Sequence, residues 1–216
     1  MRNIWYLIAL SALAVATLAA QAAPPRKAEI VYELARNGKV LAEVTHRLEH
    51  NGKTYKLTEN VRGKGVLAMK GDIARSSQGA IAADGLRPRH FEDQRSGRDT
   101  LKADFDPAAK LPTLKQQDQL SMVWTFAFAQ PAKEVGVRVA DGKRVSEYAY
   151  QPAGRERVKT PAGEFDALKF VKKRDSAEDK ATEIWIAADR RIPVRVLIVD
   201  TDGTRLDQVA SRLVLK

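Results

Sequence analysis

Residues 116–129, QQDQLSMVWTFAFA, form the one long apolar run beyond residue 22 that does not read as strand and turn. Leu120, Val123, Trp124, Ala127 and Phe128 recur at the spacing of one helical face, and Met122, Phe126 and Ala129 fill much of the remaining circumference. A helix apolar nearly all round must be buried. Thr113 followed by Gln116 has the pattern of a capping box just after Pro112, and Pro131 stands beyond the last turn. The rest of the chain therefore has to supply something to bury this helix.

What surrounds it reads as hairpins. Ile30, Tyr32 and Leu34 alternate with more polar neighbours, Asn37-Gly38 marks a tight turn, and Val40, Ala42 and Val44 resume the period of two. Asn51-Gly52 leads into Tyr55, Leu57 and Val61, after which Gly63 and Gly65 interrupt the strand. Further strand signals follow at 73–78, 89–94 and 99–105, with a turn at Gly85-Leu86-Arg87-Pro88. Beyond the helix they continue at 135–140, 143–150, 165–172, 181–187, 194–199 and 206–215. The expectation is an all-β chain of about eleven strands, forming a strongly curved antiparallel sheet or open barrel with one buried apolar helix.

The first residues read as an address. Arg2, an uncharged apolar run over 4–20 and the small-residue motif Ala20-Gln21-Ala22 predict a signal peptide over 1–22, leaving 23–216 as a single exported, periplasmic domain. The chain has no cysteine, which excludes thiol catalysis, disulfides and cysteine-ligated metal. The net charge of +10 would point to nucleic acid in a cytosolic protein. Export redirects it to anionic envelope lipid, to an envelope protein partner, or to plain solubility, with no nucleic acid expected. The Lys172-Lys173-Arg174 run at a strand end reads as a solvated edge guard.

One catalytic signature occurs, His46-Arg47-Leu48-Glu49-His50. An H-x-x-E-H string binds zinc when it lies on a helix, where both imidazoles share a face and the glutamate polarises water. On a strand the two histidines would stand about 13 Å apart and could not share a metal. The flanking turn signals favour the strand, with both histidines partly exposed, so no metal and no cofactor is expected. There is no G-x-S-x-G, P-loop or dinucleotide fingerprint. Asp118-Gln119-Leu120-Ser121 reads as capping and dipole complementation at the helix start.

Taken in order, Gly85-Leu86-x-Pro88-x-x-Phe91, Phe105-Asp106, Asp118-x-Leu120-Ser121, Thr160-Pro161-Ala162-Gly163-x-Phe165, Trp185-Ile186-Ala187-x-Asp189 and Ile192-Pro193-Val194 resemble the DUF3108 family of exported bacterial proteins. The resemblance implies an exported all-β domain of unestablished function and carries over no catalytic or binding residue. Trp185 reads as core.

Two functional expectations follow, with a zinc hydrolase using His46-x-x-Glu49-His50 as the outlier. In the first, a non-enzymatic protein binds an apolar or lipid-like envelope component in a cavity lined by Trp124, Phe126 and Phe128. In the second, the helix fills the barrel as ordinary core and the protein acts through its surface as an interaction or scaffolding module of the envelope.

Overall fold

A computed structural model describes residues 23–106, 114–176 and 178–216. The segment 1–22 with its cleavage motif, and Thr113 of the expected capping box, lie outside the described residues. Before the helix run β1 Lys27–Arg36, β2 Lys39–His50, β3 Thr54–Gly63, a short 3-10 helix Gly65–Lys70, β4 Ile73–Ala82, β5 Gly85–Arg95, β6 Leu101–Asp104 and β7 Leu114–Asp118. Helix α1 spans Gln119–Phe128, and β8 Val135–Ala140, β9 Val145–Thr160, β10 Gly163–Lys172, β11 Ala181–Ala187, β12 Ile192–Val199 and β13 Arg205–Leu215 complete the chain.

All thirteen strands belong to one nearly closed sheet, in the order β6-β5-β4-β3-β2-β1-β13-β12-β11-β10-β9-β8-β7. Every pair is antiparallel except β7 with β8, which run parallel. The expected fold class is therefore the observed one, with more strands than the eleven or so expected. Asn37 and Gly38 both take positive φ, 48° and 82°, the signature of the primed turn that suits a twisted two-residue hairpin.

The strand absent from the sequence reading is β7, and it corrects the helix boundary. Residues Leu114–Asp118 are extended rather than helical, and Asp118 takes the N-cap position. Its carboxylate accepts from the Leu120 and Ser121 amides at 2.9 and 2.7 Å, while the Ser121 hydroxyl accepts from the Asp118 amide at 3.0 Å. This reciprocal box starts α1 in place of Thr113 and Gln116. Gln117 could not have been helical without losing its partner, because its buried side-chain amide donates to the Leu86 carbonyl at 2.8 Å.

A second correction concerns Gly85-Leu86-Arg87-Pro88, which belongs to β5; the turn is at Ala83 and Asp84. Gly85 sits against α1 with φ of 120°, and a Cβ there would lie 2.3 Å from Thr125 Oγ1. The Leu86 amide donates to the same hydroxyl at 3.1 Å. Pro88 is tolerated because it faces Gly79 at a bulge in the β4–β5 ladder. The motif thus docks the helix onto β5. At the other end of α1 the buried Arg191, itself at a positive φ of 53°, donates to the Ala127 and Phe128 carbonyls at 2.8 and 3.2 Å. This places a cation on the negative end of the helix dipole.

Trp185 is buried, but on the face of β11 opposite to Ile184, where cross-strand neighbours Lys169 and Arg195 each cover its ring at 4.8 Å. Trp185 belongs to the buried hydrophobic core as expected, and the Lys169 ammonium and Arg195 guanidinium add cation–π contacts to its ring.

Candidate functional site

Helix α1 closes one end of the barrel. Trp124, Thr125, Phe126 and Ala127 are buried there, while Gln119, Leu120, Met122 and Val123 face a cavity of about 650 Å³. The turns and strand ends at Asp141, Arg144, Lys172, Lys180 and Thr201 form the cavity's mouth. One wall is apolar, built by Val139, Ile184, Val196 and Ile198 with the helix residues. The facing wall is charged, and is built by His46, Glu59 and Arg75.

That charged wall comes from register. His46 on β2 pairs with Glu59 on β3, Glu59 with Arg75 on β4, and Arg75 with Asp93 on β5, so four adjacent strands place four polar side chains in one row. His46 Nε2 lies 2.9 Å from Glu59 Oε2, and Arg75 Nη1 donates to Glu59 Oε1 at 2.5 Å. Arg95 extends the row, donating from Nη2 to Asp93 Oδ2 at 2.6 Å. Arg75 Nε lies 3.2 Å from the same oxygen, but its N–H is aimed poorly and has no hydrogen-bond partner. Burial would raise the Glu59 carboxyl, yet the His46 contact and the Arg75 guanidinium outweigh it and hold the group down to about 2. Asp93 is likewise lowered: burial opposes, and Arg95 and Arg75 prevail.

The tautomer of His46 follows from its neighbours. The Trp124 indole N–H, which can only donate, points to His46 Nδ1 at 3.2 Å. Nδ1 is therefore the acceptor, and Nε2 carries the hydrogen given to Glu59. Both ring nitrogens are engaged, and the Tyr32 ring packs edge-on at 4.8 Å. His46 is thus buried, not partly exposed as expected. His50 lies further along β2, edge-on to Phe128 at 5.2 Å, and its Nδ1 accepts from the Gly52 amide. Glu49 faces the other side of the strand and pairs with Lys27 at 3.5 Å. The H-x-x-E-H string is extended, and its three polar residues do not converge.

None of the three aromatics expected to line a cavity is among the lining residues. Trp124 lies behind the charged wall as the support of His46, and Phe126 stacks on Phe170 with centroids 4.4 Å apart. Phe128 is half-buried at the closed end. Between wall and helix, Tyr55, Ser77 and Asp118 form a second buried chain: the Ser77 hydroxyl donates to Asp118 Oδ2 at 2.5 Å and lies 3.0 Å from the Tyr55 hydroxyl. Asp118 faces no cation, and burial pushes it up to about 6 against the hydrogen bonds it accepts from Ser121, Ser77 and Leu120.

Sequence reasoning passed over Glu59, Arg75 and Asp93. The signal was phase: Glu59 falls in step with Tyr55, Leu57 and Val61, and Asp93 in step with Phe91, so both are charges on the apolar side of their strands.

The family model described as a protein of unknown function, DUF3108, matches residues 29–127 and 114–209. The chain belongs to the DUF3108 family. No curated protein matches it. Among solved structures, this DUF3108 chain is similar to a β-barrel-like protein of the domain of unknown function DUF1849 from Brucella abortus, at 7% identity and a TM-score of 0.45, covering 90% of this chain and 100% of that one. A Parabacteroides distasonis protein provisionally described as a lipoprotein aligns at 12% identity, a TM-score of 0.42, and 88% and 97% coverage. A hypothetical protein from Chlamydia trachomatis aligns at 9% identity, a TM-score of 0.42, and 89% and 88% coverage.

Proposed function

We propose that this DUF3108 protein is exported to the periplasm and binds, without catalysis, an apolar or lipid-like envelope component in the barrel cavity. The observation that carries this reading is the cavity of about 650 Å³ left above a helix that fills only one end of the barrel. That volume suits a small-molecule site, and its lining has the composition of one: an apolar wall for bulk and a few converging polar groups for orientation. The charged wall argues against a simple hydrocarbon chain filling the whole space, because Glu59 and Arg75 would be stripped of water along its length. An amphipathic occupant keeps its apolar part on Val139, Ile184 and Val196 and its polar part towards Arg75.

Native mass spectrometry of the protein purified gently from an exporting cell tests this. A small-molecule adduct is expected, and Ile198→Trp, which puts bulk into the cavity from a half-buried position, is expected to abolish it while the protein stays folded. A bare polypeptide mass from fresh material removes the proposal. In that case the scaffolding alternative gains, and the complete burial of Trp124 and Ala127 favours it to the extent that this half of the helix is ordinary core.

A further inference from the structure

Among the described residues six large apolar side chains are exposed: Val40, Val66, Met69, Val145, Tyr148 and Val214. Strand register places five of the six at one end of the barrel. Val40 begins β2, which pairs there with the end of β3; Val66 and Met69 lie in the β3–β4 connection; Val145 begins β9, and Tyr148 lies beyond the β10 terminus, which pairs at Tyr150. This is the end at which the cavity opens, and Tyr148 is itself part of the cavity lining. Val214 alone is at the far end, opposite Glu29.

The β3–β4 connection is the most exposed of these features. Val66 and Met69 are 81% and 87% exposed. They lie three apart in the 3-10 helix Gly65–Lys70, where side chains at that spacing eclipse one another and form a single stripe. The helix folds back onto the start of β2, with the Lys64 amide donating to the Leu41 carbonyl at 2.7 Å, so Val40 and Lys39 neighbour it. Segments 36–40 and 62–72 together contain Arg36, Lys39, Arg62, Lys64 and Lys70 against the single acid Asp72. Arg62 pairs with Asp72 at 3.8 Å, which leaves the segments a net excess of basic residues around the apolar tips; that combination is complementary to an anionic bilayer surface, which attracts the charge and then buries the tips. A plain solubility surface has no reason to collect its apolar exposures around a cavity mouth.

We infer that the mouth end of the barrel docks on anionic phospholipid bilayers, with Val66 and Met69 entering the interface, so that the cavity opens towards the membrane. The docking geometry is independent of what the cavity holds; its use in loading or unloading rests on the cavity reading proposed above.

The test is co-sedimentation of the purified protein with phosphatidylglycerol-containing vesicles and with pure phosphatidylcholine vesicles. Binding to the anionic vesicles, weakened by salt, is expected. Val66→Ser combined with Met69→Ser is expected to weaken it at least about tenfold, and Lys39→Gln and Lys64→Gln about fivefold each. These positions are exposed, and circular dichroism checks that the fold is kept. Val214→Ser is expected to bind as the parent does. Failure of the parent to bind anionic vesicles, or undiminished binding by the Val66/Met69 double variant, overturns the inference. A small-molecule adduct in a protein that ignores vesicles sinks the docking and leaves the cavity reading intact; vesicle binding by a protein with no adduct supports docking alone.

Discussion

At Asp118 two demands meet. The helix needs an acceptor at its N-cap, and complete burial disfavours a charge there. The carboxyl is pushed up to about 6 from an ordinary 3.8, so the folded state binds the extra proton. The stability this gives is fully present below pH 3.8 and is lost as pH rises through 6, by about 3 kcal/mol. Asp118→Asn keeps the acceptor and removes the titration, so urea unfolding of the variant is expected to lack the decline between pH 4 and 6; an unchanged decline assigns it elsewhere. Glu59 has the opposite sign. Its lowered carboxyl contributes stability present above pH 4.5 and lost as pH falls through 2. Glu59→Gln is expected to cost about 3 kcal/mol at pH 7 by leaving Arg75 under-compensated, with the difference from the parent narrowing at pH 3. The charge at Glu59 could have been read as buried from its phase on the strand. Its partners could not, because which residue faces it depends on how neighbouring strands register.

At the scale of elements, turn chemistry gave most boundaries away. Asn37-Gly38 connects the hairpin it is expected to connect. The helix is legible in its apolar face, but the expected N-cap, Thr113, lies five residues before the observed one, Asp118, since Gln116 and Gln117 have no propensity strong enough to separate helix from strand. What decides is tertiary: the parallel partner β8 and the Leu86 carbonyl, neither adjacent in sequence. Gly85 shows the same limit. Glycine marks turns and so predicts one here, whereas Gly85 is needed for close approach of the helix. Gly85→Ala is expected to lower stability by at least about 2 kcal/mol through overpacking and strain at positive φ, measured by thermal or urea unfolding. Unchanged stability would mean that Thr125 and the helix shift without cost. Arg191 at the helix C-terminus left no readable trace, because it comes from a turn more than sixty residues away.

At the scale of the molecule, an all-β barrel around one helix was legible because period-two alternation and paired turn residues are local. The closure was not. The edges β6 and β7 do not share a backbone ladder; β7 is tied to β5 through side chains, Gln117 to Leu86 O and Lys115 to Asp84 O. Amides of Lys115–Asp118 are therefore expected to exchange with deuterium faster than those in the centre of β2; equal protection would indicate a seam as stable as the ladder. The opposite side of the barrel carries a different consequence. Lys27 and Lys216 exchange backbone hydrogen bonds at 3.0 and 2.8 Å, joining the first strand to the last. A ribosome makes β1 well before β13. The meander β1 to β5 can assemble on its own, but the outer edge of β1 stays an open template until β13 is made. Deletion of β13 thus exposes the outer edge of β1, and a circular permutant joining residues 216 and 23 would shorten the longest loop the fold has to close.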